Sequence, residues 1–353
     1  MMPDVVVPDV QDPAPMSDLD KLLLIPHEIS VVIPVYKGEE SLNDLMREIE
    51  PLTKVQISRS GSRFVVNEVL LVFDNGPDNS ARVIRALERA YSFVRPVWLS
   101  RNFGQHSATL AGMASSGSEW IVTMDEDGQH NPGDVGNLID AALDTGAPLV
   151  YGRPINAAPH GFVRNAASRW AKIIVSRVSQ GQNVTEFQSF RLILGEVGRS
   201  VAAYAGVGVY LDVALGWIVS STTTADIVLR SDNRRDSGYT YRTLLSHFWR
   251  LVLTSGTRAL RLVSLLGLLV ASAGFVLGVY FIFENLINGN LPLGYTSTIT
   301  VLLFSTGAIL IALGVIAEYV GVSVNMAMGK PLYLIVSDPH DGPLGRRRSV
   351  HEQ

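Results

Sequence analysis

The stretch EWIVTMDEDGQHNP, residues 119–132, runs from a short apolar segment into two carboxylates one residue apart, Asp125 and Asp127, with the amide of Gln129 and a turn-making Asn-Pro behind them. The same signature, an apolar β-rich run ending in a polar turn, recurs outward from it in ISVVIPVY (29–36), EVLLVFDNG (68–76), FVRPVWLS (93–100) and APLVYG (147–152). Helical patterns such as SARVIRALERAY (80–91) and DVGNLIDAALDTG (134–146) separate these runs. Short β-rich runs alternating with helices predict an α/β domain over residues 27–235, built on a parallel sheet covered on both faces.

Ligands of such sheets sit beyond the carboxyl ends of the strands, near a switch in strand order. Polar residues gather at three of those ends: Tyr36, Lys37, Glu39 and Glu40; Asp74, Asn75 and Asp78; and Asp125, Asp127 and Gln129. Nothing in IPVYKGEE resembles the glycine-rich fingerprint of a dinucleotide fold, which argues against NAD or FAD. An Asp-x-Asp at a strand end suits a hard divalent cation, Mg²⁺ or Mn²⁺, set against substrate phosphates. A solvated turn with a helix cap accounts equally well for such a pair taken alone; its place in the α/β pattern favours the metal.

The chain of 353 residues is long enough to bury a substantial core. Its formal net charge of −4 offers no basic field for nucleic acid, so anion binding must come from local arginines. With no cysteine it has no disulfide, thiolate metal site or thiol nucleophile. Residues 1–26, acidic and proline-rich, lack the features of a secretory signal and read as a disordered tail. The seven histidines show no metal-ligand spacing.

Two uncharged stretches, 262–283 and 296–317, each exceed the ~20 residues that cross a bilayer core. Arg242, Arg250, Arg258 and Arg261 precede the first, Lys330 and Arg346 to Arg348 follow the second, and the connection ENLINGNLPLGY has neither Lys nor Arg. The positive-inside rule therefore predicts a hairpin (262–317) with both termini and the domain over 27–235 cytoplasmic, and a cytoplasmic tail over 318–353. The segment 161–181 has the pattern of an interfacial helix, a pattern shared by ordinary amphipathic helices packed on a sheet.

Seven stretches in order, ISVVIPVYKGEESL, LLVFDNGPDNS, SRNFGQHSATLAGM, TMDEDGQHNP, LVYGR, SFRLI and RRDSGYTYRTLL, followed by two apolar spans, resemble the family 2 glycosyltransferases that load polyprenyl phosphate. That group includes dolichyl-phosphate mannose synthases, bactoprenol glucosyltransferases and undecaprenyl-phosphate aminoarabinose transferases. The resemblance covers residues 29–335. It implies a GT-A-like, Rossmann-type nucleotide-sugar-binding domain followed by two transmembrane helices, and an inverting enzyme that moves a sugar from a nucleotide sugar to undecaprenyl phosphate.

On this sequence the resemblance implies that Asp125, Asp127 and Gln129 hold the metal. Pro34, Tyr36, Glu39 or Glu40, Asp74, Asn75, Arg101, Asn102, Gln105, Glu126 and Arg153 line the nucleotide-sugar site. Asn75 stands where the family usually has a second aspartate, so the residue that reads the base stays open, while the aminoarabinose-like GQHSA favours a UDP-sugar over a GDP-sugar; the resemblance also implies a juxtamembrane amphipathic helix over 236–261. Arg191 and one of Arg234 and Arg235 are implied in catalysis, and the latter pair with Arg242, Arg250 and Arg258 in holding the lipid phosphate. A lipid phosphate is largely ionised near neutral pH, so no general base is required. The family further implies a homo-oligomer such as a tetramer. Two other readings compete: a processive glycan synthase, disfavoured because LGWIVSS retains only the Trp of that group's signature, and a catalytically silent membrane scaffold, suggested by Asn75 and Pro77.

Overall fold

The computed structural model describes residues 25–156, 188–206, 209–230, scattered positions from 267 to 287, 294–329 and 331–342. In chain order the strands are β1 (His27–Val35), β2 (Gln56–Ile57), β3 (Arg63–Phe73), β4 (Val94–Leu99), β5 (Trp120–Thr123), β6 (Leu149–Pro154), β7 (Arg191–Leu194), β8 (Thr223–Ile227) and β9 (Ile335–Val336). The helices are α1 (Leu42–Ile49), α2 (Ser80–Ala90), α3 (Gln105–Ser115), α4 (Val135–Thr145), α5 (Gly195–Tyr204), α6 (Leu211–Ile218) and α7 (Tyr295–Ala327).

One sheet joins all nine strands in the order β8-β6-β7-β5-β1-β3-β4-β9, with β2 paired to β3. Alternation along the strands explains why both faces must be covered. Ile29, Val31, Ile33 and Val35 of β1, with Val69, Leu71 and Phe73 of β3, face a core shared with Leu42, Ile84 and Leu138 of α1, α2 and α4. The intervening Val32, Leu70 and Val72 face the opposite core with Ala108, Val201 and Leu211 of α3, α5 and α6. Gly112 of α3 lets that helix approach closely: a Cβ there would lie 2.4 Å from Val32 Cγ1.

The parallel sheet expected from the sequence is in fact mixed. β1 pairs in parallel with β3 and β5, β3 with β4, and β6 with β8. β7, however, runs antiparallel between β5 and β6. A strand buried on both faces carries the same apolar composition in either direction, so the reversal leaves no mark on its sequence.

The chain leaves β1 toward β3 and β4 on one side, then returns to place β5 on the other. The carboxyl ends of β1 and β5 thus flank the switch point, where open α/β sheets bind ligands.

Among the described residues one helix, α7, is long and apolar enough to cross a membrane, and its window Phe304–Gly321 is buried nowhere inside the molecule. The second expected span, 262–283, falls largely outside the described residues, so the structure describes one candidate span of the two expected. The interfacial segment 161–181, the juxtamembrane segment and the N-terminal tail up to residue 24 also lie outside the described residues. Part of the expected C-terminal tail is folded. After Gly329, residues 331–342 cross the far edge of the sheet, where β9 pairs antiparallel with β4 and covers its otherwise open edge.

Candidate active site

Three loops meet at the switch point, and carboxylates brace them together. The first leaves β1 at Tyr36 and Lys37, whose backbone N–H groups both donate to Glu126 (2.9 Å each) from the loop after β5. Glu126, expected among the nucleotide-sugar contacts, thus clamps two loops of the site. The second loop follows β3 and touches the first so closely that a Cβ on Gly76 would sit 1.6 Å from the Tyr36 carbonyl oxygen. Glu39 accepts from the backbone N–H and the side-chain amide of Asn79 (3.0 and 2.9 Å), while Asp78 accepts from the Glu39 N–H (3.2 Å) and the Ser80 hydroxyl (2.6 Å). Burial pushes the Asp78 carboxyl up, but these hydrogen bonds outweigh it and hold the group below its ordinary range.

Asp74 is buried and accepts the backbone N–H groups of Phe103 (2.7 Å) and Gly104 (2.8 Å), just before α3 begins. Burial raises its pKa against the pull of these two N–H groups and of Arg101. The sequence expectation placed Asp74 against the nucleotide. Its two oxygens, like those of Asp125, each accept one bond from protein, and through them Asp74 organises the Arg101–Gly104 loop. Asn75, with a positive φ of 50°, donates its amide to the Leu99 carbonyl (2.5 Å). With Nδ2 so occupied, the side-chain oxygen is the acceptor left for a ligand N–H. Arg101 and Asn102 are exposed at the loop's crest, the Arg101 guanidinium lying 4.0 Å from the Phe103 ring centroid.

The opening stretch fills the third loop. Asp125 is held from two sides, by the Gln105 side-chain amide at one oxygen and the Ser189 hydroxyl at the other, each at 2.6 Å. Its own N–H points at Nδ1 of His130 (3.4 Å), a buried ring stacked on Phe190 (5.1 Å between centroids). Burial depresses the His130 pKa despite the carboxylates beside it, which keeps the ring neutral. Asp127 accepts the Gln129 N–H (3.1 Å), and the Gln129 carbonyl accepts from the Arg230 N–H (3.0 Å) just beyond β8. Two carboxylates offering only oxygen atoms suit a hard cation. Among the described residues no three His, Asp or Glu side chains are grouped so as to hold a metal ion by themselves. A bound ion would complete its shell with substrate phosphate and water, as Mg²⁺ characteristically does.

The arginines divide. Arg153 is exposed at the end of β6 and pairs with Asp226 on the neighbouring β8 (2.8 and 2.7 Å). Arg191, expected in catalysis, is 4% exposed; it makes an ion pair with Asp212, which also accepts from the Tyr151 hydroxyl (3.1 Å), and its Nε donates to Thr123 (3.1 Å). The guanidinium thus ties β7 to β5 and α6. Burial raises the Asp212 carboxyl while Arg191 lowers it. Arg234, Arg235, Arg242, Arg250 and Arg258 lie outside the described residues. Pro34 is buried within β1, Tyr36 is 43% exposed beside the cleft, and Glu40 is exposed. Sequence reasoning missed Ser189 and the bracing by Asp226 and Asp212. Ser189 was within reach, since it stands in the same SFRLI stretch that drew attention to Arg191.

Comparison with known proteins finds a family model, curated relatives and solved structures that resemble the chain. Residues 30–198 match Glycosyl transferase family 2. The chain is 25% identical over 311 residues to the "Prophage bactoprenol glucosyl transferase homolog" of Escherichia coli K12, covering 87% of this chain and 98% of the relative. It is 27% identical over 325 residues to the undecaprenyl-phosphate 4-deoxy-4-formamido-L-arabinose transferase of Proteus mirabilis HI4320, covering 91% and 95%. Among solved structures, glucosyl-3-phosphoglycerate synthase from Mycobacterium tuberculosis with UDP aligns at a TM-score of 0.44 and 18% identity, over 65% of this chain and 79% of that one. Residues 30–198 are thus a glycosyl transferase family 2 domain, and the protein is a glycosyltransferase.

Proposed function

We propose that the protein transfers one sugar from a nucleotide sugar, with a uridine nucleotide favoured, to undecaprenyl phosphate at the cytoplasmic face of a membrane, inverting the anomeric centre. The observation that carries this reading is the extent of the likeness to relatives named for undecaprenyl phosphate and bactoprenol transfer. Matches covering 87% and 91% of the chain must run far past residue 198, through the apolar C-terminal part that a lipid acceptor calls for.

The chemistry then follows from the cleft. The Asn75 side-chain oxygen accepts the imide N–H of the base, while Arg101 and the amino end of α3 face the diphosphate. Asp125 and Asp127 would hold Mg²⁺ or Mn²⁺, which supplies charge neutralisation for the departing diphosphate. Gln105 and Ser189 fix the Asp125 carboxylate before substrate arrives, which removes part of the ordering cost of the transition state. A phosphate oxygen of the lipid attacks the anomeric carbon from the face opposite the diphosphate. The bond from that carbon to the diphosphate oxygen breaks with its electron pair, and no proton changes hands because the acceptor is already ionised. Arg234 or Arg235, with Arg242, Arg250 and Arg258, hold the lipid phosphate. Two spans, with both termini cytoplasmic, keep that phosphate at the height of the cleft.

The test is acceptor dependence. Purified full-length protein in detergent is given radiolabelled UDP-sugar with undecaprenyl phosphate or with undecaprenol. Label extracted into organic solvent with the phosphate alone supports the reading; label carried equally by the free alcohol contradicts it, because an alcohol must lose a proton on transfer and the proposed step moves none.

A further inference from the structure

Beyond the apolar helix, residues 331–342 return to the sheet. Leu332 and Tyr333 pack against the core cluster that includes Val97, Leu99 and Ala108. The Leu334 carbonyl accepts from the Ser100 N–H (2.9 Å), and Ile335 and Val336 lie opposite Leu99 and Trp98. Asp338 closes the strap: its carboxylate takes both Nε (2.6 Å) and Nη2 (2.7 Å) of Arg85 on α2, and the guanidinium lies 4.8 Å from the Trp98 ring centroid. With side chains only 22% and 14% exposed, this pair is shielded and bidentate, unlike the surface pairs that contribute little.

The strap ends where the donor loop begins. Ser100 immediately precedes Arg101 and Asn102, so the loop is held on its inner side by Asp74 and Asn75 and on its outer side by Leu334. At its far end Gln105 grips Asp125. One run of contacts therefore leads from Asp338 and Arg85, through the strap and loop, to the Asp-x-Asp turn. The connection from Ala327 to Ile335 spans at most about 28 Å fully extended, so the same strap limits how far the helix end stands from that loop.

We infer that Arg85 and Asp338 are positioning residues for the nucleotide sugar: by locking the strap to β4 they hold the Arg101–Gln105 loop in the shape that receives the donor diphosphate. The inference rests on the reading of that loop as part of the donor site. It is tested on the full-length protein in detergent, comparing wild type, Asp338→Asn and the charge-exchanged pair Arg85→Asp with Asp338→Arg. Amide exchange over residues 100–104 and the donor KM and kcat are measured together. Asp338→Asn should speed exchange across the loop on the order of tenfold, the scale of one charge-assisted hydrogen bond. It should also raise donor KM several-fold with kcat nearly unchanged, and the exchanged pair should recover both. Unchanged exchange across the loop overturns the coupling itself. Faster exchange with an unmoved KM also overturns the inference, and then locates the failure in the donor-loop reading rather than in the strap.

Discussion

Removing the Arg191 guanidinium leaves Asp212, 3% exposed, without its ion-pair partner. Arg191→Met should therefore cost about 3–5 kcal/mol, whereas Arg191→Met with Asp212→Leu should recover most of the loss, because a buried pair replaced by apolar groups is often neutral. Urea unfolding of both variants checks this. If the single variant instead keeps wild-type stability and loses transfer, Arg191 acts on substrate. At this scale the sequence is legible by chemical type and silent on partners. Asp125 and Asp127 are recognisable by type after β5, but that Gln105, at the start of α3, bonds Asp125 is not written in either stretch. Asp74 and Arg191 have the same residue types as ligand-binding groups, but their burial, set by strands and helices distant in sequence, turns them inward.

Among the elements, the loops after β1 and β3 are in contact because Gly76 has no side chain. Gly76→Ala puts a Cβ 1.6 Å from the Tyr36 carbonyl oxygen, so one loop must move. The expected result is a loss of about 3 kcal/mol or more in unfolding, at the upper end of overpacking costs, with weakened nucleotide binding by calorimetry. Wild-type stability and affinity would mean that the two loops are not pressed together. The central strands were readable because each pairs a continuous apolar run with a polar exit, the pattern of a doubly covered sheet. β7 and β9 were not: β7 is short and its direction is invisible in its composition, and β9 is two residues long, below the length at which any periodicity registers.

For the molecule as a whole, α7 is the element on which the proposed membrane location rests. Its 33 residues extend roughly 50 Å, more than the ~30 Å hydrocarbon core requires. The protein should stay in the membrane pellet after an alkaline carbonate wash; release into the supernatant would mean that the helix docks on protein instead. Here the sequence carries most of the information, because length and lack of charge are local properties, while the return of the strap to β4 depends on a tertiary contact between Arg85 and Asp338.

The central claim is that the cleft at the β1 and β5 ends moves a sugar onto a lipid phosphate. It is tested most directly by incubating purified protein with undecaprenyl phosphate, Mg²⁺ or Mn²⁺ and a panel of UDP- and GDP-sugars, then weighing the lipid by mass spectrometry. A lipid heavier by one sugar residue, absent after chelation and reduced roughly 10²–10³-fold in a folded Asp127→Ala variant, is the predicted result. Clear nucleotide binding with an unmodified lipid for every donor, or equal product from Asp127→Ala, would contradict it.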